Sequence, residues 1–233
     1  MRYISSLTFT LAALTVACTA ASYPHASGCK DYVLISSRGT GEPQGPSSEL
    51  KSVIKTVFDT LPNGVAVDTV YPADWNLQIG IGANWIKEYI GKSLASCPRQ
   101  KFALLGYSQG SMVSSAALDR LPHGANGAIK AALFFGNPFH VPQRPGNVDE
   151  HGRPSTGASG CESANNPPAA NAFAASGRLL DVCFTGDTVC NKPPAMAPMR
   201  HGVYGFSKQH GMYGFTEETV RLGADFLIKH LRG

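Results

Sequence analysis

Alternation between short buried strands and amphipathic helices is the feature that most constrains the fold of this chain. Strand-like runs occupy residues 32–35, 65–71, 102–105, 131–135 and 179–183. Helical periodicity lies between them, beginning near residue 47, covering 79–94 and 111–118, and returning after Thr216, which is suited to cap the last helix. This alternation predicts an α/β domain with a central, mostly parallel five-stranded sheet flanked by helices.

The composition limits the classes of function. Of the 233 residues, 43% are apolar and 15% are charged. A charged, disordered chain is excluded because this apolar content can fill a core. The net charge of +4, with no cluster of Lys and Arg, gives no support for a nucleic-acid partner.

The N-terminus indicates export from the cell. Arg2 precedes an apolar stretch at 7–16 and a run of small residues that ends at Ala21. This is the layout of a secretory signal peptide, which we assign to residues 1–21, leaving a single domain at 22–233. A membrane anchor would need roughly 18–20 apolar residues, and a lipoprotein with Cys18 as the lipidated residue fits only loosely. We expect a secreted, extracellular protein without stable membrane insertion.

Loss of the signal peptide would leave five cysteines, which in an oxidising compartment are expected to form disulfides. Their spacings match no zinc pattern, so we expect no metal site. Cys183 and Cys190 are close enough to close a small loop, and we pair Cys29 with Cys97. Cys161 is then left over.

Residues 136–177 interrupt the alternation. The segment is rich in Pro, Gly, Ser, Ala and Asn and has no periodicity, which predicts a long irregular loop. A strand-like run follows it, so we assign the loop to the same domain. Loops of this length are usually functional or mobile.

The motif Gly106-Tyr107-Ser108-Gln109-Gly110 points to nucleophilic chemistry. It lies between a predicted strand and a helix rich in small residues, where a sharp turn exposes the serine hydroxyl and glycines let the backbone pass closely. A serine at a helix N-terminus also lies near backbone N–H groups that can stabilise an oxyanion. Ser108 is therefore the candidate nucleophile.

A serine hydroxyl needs a base, and the base needs an orienting carboxylate. In α/β hydrolases these follow the nucleophile in the order Ser, acid, His. Asp187 fits as the acid because it lies just past the last predicted strand, between Cys183 and Cys190. Asp181, within that strand, is expected to be structural, and Asp149 in the long loop is a further competitor.

The order rule leaves two of the seven histidines as the base, His201 and His210. Both occur in a His-Gly-x-Tyr context, so the local sequence barely separates them. We favour His210 because it lies a few residues before the C-terminal helix. His201 is then expected to be structural or to line the site.

Two donors are needed for an oxyanion hole. Gln109, directly after the nucleophile, offers its backbone N–H, and Thr40 in the loop after the first strand offers an N–H and a hydroxyl. The glycines of that loop could also suggest a dinucleotide fingerprint. The spacing is wrong and Pro43 and Pro46 interrupt it, so no cofactor is expected.

Four motifs in order make the chain resemble the cutinase family, closest to its fungal cutinase-like esterases. They are Gly106-Tyr107-Ser108-Gln109-Gly110, Arg38-Gly39-Thr40, Gly186-Asp187-x-Val189-Cys190 and His210-x-x-Tyr213. The resemblance covers nearly all of the chain from Cys29 to the last helix. It implies a three-layer, lidless α/β hydrolase that needs no cofactor. Its departures are the 136–177 loop, Cys161, and Thr40 where many relatives have serine.

Carried over position by position, the resemblance implies Ser108 as nucleophile, Asp187 as acid and His210 as base, with Thr40 and Gln109 as oxyanion donors. The pairs Cys29–Cys97 and Cys183–Cys190 match the two bridges of the family. The implied activity is hydrolysis of cutin-type and other short- to medium-chain esters or polyesters by a monomeric serine esterase. An acetylxylan esterase is the nearest alternative, and a non-catalytic, secreted surface-binding protein is the alternative from another class.

Overall fold

The architecture is a single parallel sheet between two layers of helices. The computed structural model describes residues 28–122, 124–192 and 207–233. The predicted signal peptide, Cys18, His123 and the competing base His201 lie outside these residues. The described strands are β1 (Tyr32–Ser37), β2 (Gly64–Asp68), β3 (Lys101–Tyr107), β4 (Ile129–Phe135), β5 (Asn147–Val148) and β6 (Leu179–Val182).

The strand order is β2-β1-β3-β4-β6-β5, and every pairing between these strands is parallel. The α/β class is confirmed. The predicted count of five strands is wrong by one, because the short β5 adds a sixth strand beyond β6. Two residues are too few to give an alternating or apolar run that sequence reading can detect.

The helices divide between the two faces of the sheet. On one face, α1 (Lys51–Thr60) and α5 (Glu217–Arg232) bury Val57 and Leu227. On the other, α2 (Ile79–Ser96), α3 (Gln109–Arg120) and α4 (Pro168–Ala175) bury Ile90 and Phe173, among others. Strands buried on both faces explain the continuous apolar runs of the sequence.

The segment 136–177 is ordered by the sheet that it flanks, so the prediction of an irregular loop is wrong. It contains β5 and α4, and its backbone pairs with both ends of β6: Asp181 donates to the Gly146 carbonyl at 2.9 Å and Cys183 to the Val148 carbonyl at 2.9 Å. The signal for α4 was present in its alanines, which favour helix, and in a proline at the first turn.

Thr216 precedes α5, as expected, but does not cap it through its side chain. Its hydroxyl donates to the Met212 carbonyl at 2.8 Å instead of accepting from the first turn of the helix. The acidic side chains Glu217 and Glu218 remain to complement the helix dipole. Among the described residues, no helix is both long and apolar enough to cross a membrane.

Candidate active site

Ser108 lies on the sharp turn between β3 and α3. Its φ of 51° is in the region that L-residues rarely adopt, as the strand-to-helix turn requires. A Cβ on Gly106 would come within 2.5 Å of the Ser111 Cα, and one on Gly110 within 1.9 Å of the Ser37 carbonyl oxygen. The two glycines of the motif are therefore required by backbone packing around the serine.

The structure brings together the serine, histidine and aspartate that the sequence singled out. The Nε2 atom of His210 lies 2.9 Å from the Ser108 Oγ, and its Nδ1 lies 2.8 Å from the Asp187 Oδ2. All three are buried: Ser108 is 4% exposed, His210 1% and Asp187 0%. A carboxylate on Nδ1 fixes the tautomer that leaves Nε2 free to accept the serine proton.

Asp187 lies in a loop that follows β6 and is closed by the Cys183–Cys190 disulfide. Its Oδ1 accepts the Val189 N–H at 2.9 Å. Its own N–H donates to the Phe184 carbonyl at 3.0 Å, so the loop turns tightly around the carboxylate. A buried carboxylate held by internal donors needs no water to satisfy it.

His210 lies in a short 3₁₀ turn, Lys208–Gly211, a few residues before α5. The Tyr107 hydroxyl donates to its carbonyl at 3.0 Å, and the two rings are 5.2 Å apart. Burial and nearby carboxylates raise the pKa of Tyr107, so this donor stays protonated. Gly136, with φ of 57°, makes room for the base, because a Cβ there would lie 2.8 Å from the His210 Cε1.

The two predicted oxyanion donors are in contact. The Thr40 hydroxyl donates to the Gln109 Oε1 at 3.1 Å, and the Gln109 amide donates to the Asp74 carbonyl at 3.2 Å. Gln109 is the first residue of α3, so its backbone N–H belongs to the unpaired amides of a helix N-terminus. The Gln109 side chain thus links the Thr40 loop to the segment around residue 74.

A buried arginine organises the Thr40 loop. The Arg38 guanidinium, on a residue only 4% exposed, donates to the Glu42 carbonyl at 2.9 Å, the Gln44 Oε1 at 2.9 Å and the Tyr71 carbonyl at 2.5 Å. Glu42 in turn accepts the Gly39 N–H at 2.6 Å. These bonds hold the loop on both sides of Thr40 and join it to the segment at Tyr71, which sequence reading of the motif did not foresee.

From their places in the sequence, Met212 and Tyr213 beside His210 and Trp75 after Tyr71 could line an acyl groove or pack in the core, and the structure separates them. Trp75 is 51% exposed, on a segment with two strained residues, Ala73 and Leu77, whose φ values are 52° and 49°. Tyr213 is fully buried and belongs to the core, and Met212 packs partly buried beside it. Of these side chains, Trp75 is the one that the structure leaves open to a substrate.

The competing acids and histidines lie elsewhere. Asp181 is buried in β6, where it accepts from the Asn137 amide at 2.8 Å and from Arg144. His140 lies beside it, with Nδ1 3.1 Å from the Asp181 Oδ1, without the alignment of a hydrogen bond. His151 and Asp149 are in the turn after β5, with exposed side-chain contacts. His230 is near the end of α5, with its Nδ1 2.9 Å from the Phe226 carbonyl of the same helix. His25 lies outside the described residues.

Sequence reasoning missed the contact between Tyr213 and the acid. The Tyr213 hydroxyl donates to the Asp187 Oδ2 at 2.6 Å, the same oxygen that contacts His210. The His-x-x-Tyr pattern was noticed, but a pattern does not say where a phenol points.

The two predicted disulfides are present, Cys29–Cys97 and Cys183–Cys190, and Cys161 is the free cysteine of the described part. Burial raises the pKa of Cys161 to about 12, which keeps its thiol protonated. Within the ranges that the structure describes, no three His, Cys, Asp or Glu side chains gather as metal ligands would.

The sequence of this chain matches a known protein family and several characterised proteins. The family model described as Cutinase matches residues 28–220. Cutinase 4 of Emericella nidulans is 34% identical over 129 residues, which span 53% of this chain and 56% of that protein. Phospholipase Culp4 of Mycobacterium tuberculosis is 29% identical over 203 residues, 82% of this chain and 80% of its own length.

Among solved structures, a cutinase-like protein from Cryptococcus sp. matches with a TM-score of 0.76 and 32% identity. The match covers 90% of this chain and 99% of that one. The likeness in fold therefore extends over most of this chain.

Proposed function

This chain belongs to the cutinase family, and from that premise we propose that it is a secreted serine esterase acting on short- to medium-chain carboxylic esters or polyesters such as cutin. One observation carries the proposal: Ser108, His210 and Asp187 form a continuous hydrogen-bonded line at the carboxyl ends of the strands. Nucleophile, base and orienting acid are the three parts that acyl transfer requires.

The proposed reaction runs through a covalent acyl-enzyme. The Ser108 Oγ attacks the ester carbonyl carbon as its proton passes to the His210 Nε2, and Asp187 stabilises the imidazolium. The tetrahedral intermediate collapses as His210 returns the proton to the leaving alcohol. Water then attacks the acyl-enzyme by the same sequence, releasing the acid and free Ser108.

The oxyanion would be held by the backbone N–H groups of Thr40 and Gln109. The Thr40 hydroxyl donates to the Gln109 Oε1 in the free protein. It can add a third donor by turning from that acceptor to the oxyanion, which costs one hydrogen bond that the intermediate replaces with a stronger one.

Active-site labelling tests the proposal directly. A fluorophosphonate probe should label the wild-type protein stoichiometrically on Ser108, and Ser108→Ala should abolish both the label and ester hydrolysis. Ser114→Ala is a matched control, since Ser114 is a buried serine of α3, the helix that begins directly after Ser108. A wild-type protein that takes no label would support a non-catalytic surface-binding protein instead.

Chain-length preference separates a cutinase-type esterase from an acetylxylan esterase. The proposal expects kcat/KM for p-nitrophenyl butyrate to exceed that for the acetate, because exposed Trp75 offers apolar surface to a longer acyl chain. The reverse order, together with release of acetate from acetylated xylan, would favour the acetylxylan esterase.

The proposal extends to the whole chain. Residues 1–21 would act as a signal peptide removed on export, leaving residues 22–233 as a single, lidless, monomeric domain that needs no cofactor. Mass spectrometry of the exported protein would give the cleavage site, and light scattering would give the oligomeric state.

A further inference from the structure

The carboxylate of Asp187 is held by more than the histidine. Its Oδ2 receives the His210 Nδ1 at 2.8 Å and the Tyr213 hydroxyl at 2.6 Å, while its Oδ1 receives the Val189 N–H at 2.9 Å. Asp187 is fully buried. The charge of the acid is therefore shared among three donors, and one of them competes with the base for the same oxygen.

The direction of the Tyr213 hydrogen bond is fixed by its surroundings. The phenol oxygen already accepts the Phe184 N–H at 3.1 Å, so its own proton is left for the carboxylate. The neighbouring Cys190 sulfur, 3.4 Å away, is in a disulfide and has no proton to give. Burial and the Asp187 charge raise the pKa of Tyr213 well above its ordinary value, which keeps the phenol a donor.

The Tyr213 ring cannot swing away from the acid. It is fully buried and stacks on Phe135 with centroids 5.3 Å apart, and Phe184 lies 4.2 Å from it. Gly214, the next residue, is also held in place, because its N–H donates to the Glu49 Oε2 at 2.8 Å. A Cβ on Gly214 would come within 2.6 Å of the Glu49 backbone, so the two segments are in direct contact.

From this geometry we infer that Tyr213 is a positioning residue of the proposed esterase reaction, which sets the orientation and the effective charge of the Asp187 carboxylate. The inference rests on the proposed function. A donor on Oδ2 keeps that oxygen directed at His210 and withdraws part of its negative charge. The carboxylate then orients the imidazole while presenting less negative charge to it.

The ionisable groups around the pair come from several elements. Asp187 and Tyr213 face His210 from the acid loop and from the turn before α5, Tyr107 from the end of β3 and Glu49 from the turn before α1. Cys161 and Asp181 lie farther out, toward Asp187 and Tyr213 respectively. Of these groups, only Tyr213 donates to the Asp187 carboxylate.

Tyr213→Phe tests the inference because it keeps the ring and removes the donor. The acid limb of kcat/KM against pH, which reports protonation of the base, should move up by about half a pH unit. The value of kcat should fall about tenfold, because the carboxylate loses one of its two constraints on Oδ2. Tyr107→Phe is the matched control: it also removes a buried hydroxyl beside His210, but one that donates to a carbonyl, and its acid limb should not move.

Replacing Tyr213 site-specifically with 3-fluorotyrosine keeps all contacts and strengthens the donor, so the acid limb should move down. This variant keeps the test decisive if Tyr213→Phe does not fold. An unmoved acid limb in both variants, with only a lower Tm, would overturn the inference and leave Tyr213 a core tyrosine. Wild-type labelling on Ser108 is measured in the same series, so a failure of the esterase proposal is recognised separately.

Discussion

In the part of the chain that the structure describes, two histidine–aspartate pairs are buried near the carboxyl ends of the strands, and they differ in what else binds the carboxylate. In the pair His210–Asp187 the side chains are 1% and 0% exposed, and in His140–Asp181 both are fully buried. Asp187 has neutral partners besides the histidine, a phenol and a backbone N–H. Asp181 is bound by the Arg144 guanidinium and the Asn137 amide.

This difference decides what each histidine can do. The Arg144 guanidinium and the Asn137 amide already bind Asp181, so less of its negative charge is left to act on His140. Among the residues that the structure describes, no Lys or Arg side chain is seen to bind Asp187, so its negative charge is available to an imidazolium on His210. A buried His–Asp pair can accept a proton during a reaction only when nothing else has neutralised the acid.

A third pair shows that the distance between histidine and carboxylate does not by itself indicate the role of the pair. The His151 Nδ1 lies 2.8 Å from the Glu218 Oε2, as close as His210 is to Asp187. Its side chains are 49% and 46% exposed, so water and salt screen the pair. The three pairs therefore form a series: the pair of the proposed triad, a buried pair that is also bound by an arginine, and a surface contact.

The largest expected effect comes from breaking the triad pair. Asp187→Asn should lower kcat about 10⁴-fold, because an amide in place of the carboxylate favours the wrong imidazole tautomer and cannot stabilise the imidazolium. Steady-state hydrolysis of p-nitrophenyl butyrate measures the loss. A variant within tenfold of wild type would remove Asp187 from the proposed triad.

Removing the cation from the His140–Asp181 pair should lower the stability of the fold and leave kcat nearly unchanged. Arg144→Met leaves the Asp181 carboxylate buried without its cation and should lower the free energy of unfolding by about 3–5 kcal/mol. Denaturant unfolding measures this change, and kcat per labelled active site should stay within about twofold of wild type.

The double variant Arg144→Met/Asp181→Asn is the control for that prediction, since it removes the stranded charge together with its partner. It should be more stable than Arg144→Met alone. A double variant that is less stable would contradict the view that an uncompensated carboxylate causes the loss.

Stability, which depends on the Asp181 pair, and activity, which in the proposed reaction depends on the His210 pair, should be lost at different pH values. Burial alone would raise the pKa of Asp181, but His140, Arg144 and Asn137 outweigh it and the pKa is lowered. A lowered pKa in the folded state gives stability that is present above the unfolded value of about 3.9 and is lost as the pH falls below it. The proposed reaction needs a neutral histidine as its base, so we expect activity to fall at a higher pH than this stability does.

Thermal unfolding and initial rates across the same buffers separate the two responses. We expect a pH range in which activity is lost reversibly while Tm is unchanged. Coincident loss of activity and Tm would mean that one group governs both.

The smallest effect is expected at the exposed pair. His151→Ala should change the free energy of unfolding by less than about 1 kcal/mol, with no change in kcat, because exposed ion pairs contribute little. The difference should vanish at high salt. A larger loss that persists in salt would show that the turn after β5 depends on packing of His151.

The sequence alone predicted those features whose backbone geometry is determined by a few residues that are close together in the chain. The strand–Gly106-x-Ser108-x-Gly110–helix pattern requires a sharp turn. The order of Ser, acid and His leaves both His201 and His210 as the base, and His210 is favoured for its place just before the last helix. The apolar runs predicted the central strands because strands buried on both faces have no polar side.

The parts of the fold and of the site that sequence reading missed depend on contacts between segments that are distant in the chain. Arg144 and Asp181 are 37 residues apart and Tyr213 and Asp187 are 26 apart, and neither pairing leaves a periodic signal. The segment 136–177 was misread because β5 exists only through its pairing with β6. Tertiary pairing, and not local propensity, gives these residues their structure.

The separation of the site along the chain has a consequence for folding. Ser108 and His210, the proposed nucleophile and base, are 102 residues apart, and His210 lies in the turn that precedes the last helix. The parallel sheet must therefore be assembled and α5 docked before these two side chains meet. In a refolding experiment, recovery of esterase activity would report the final docking step, whereas fluorescence of the buried aromatic core would report the earlier closure of the sheet.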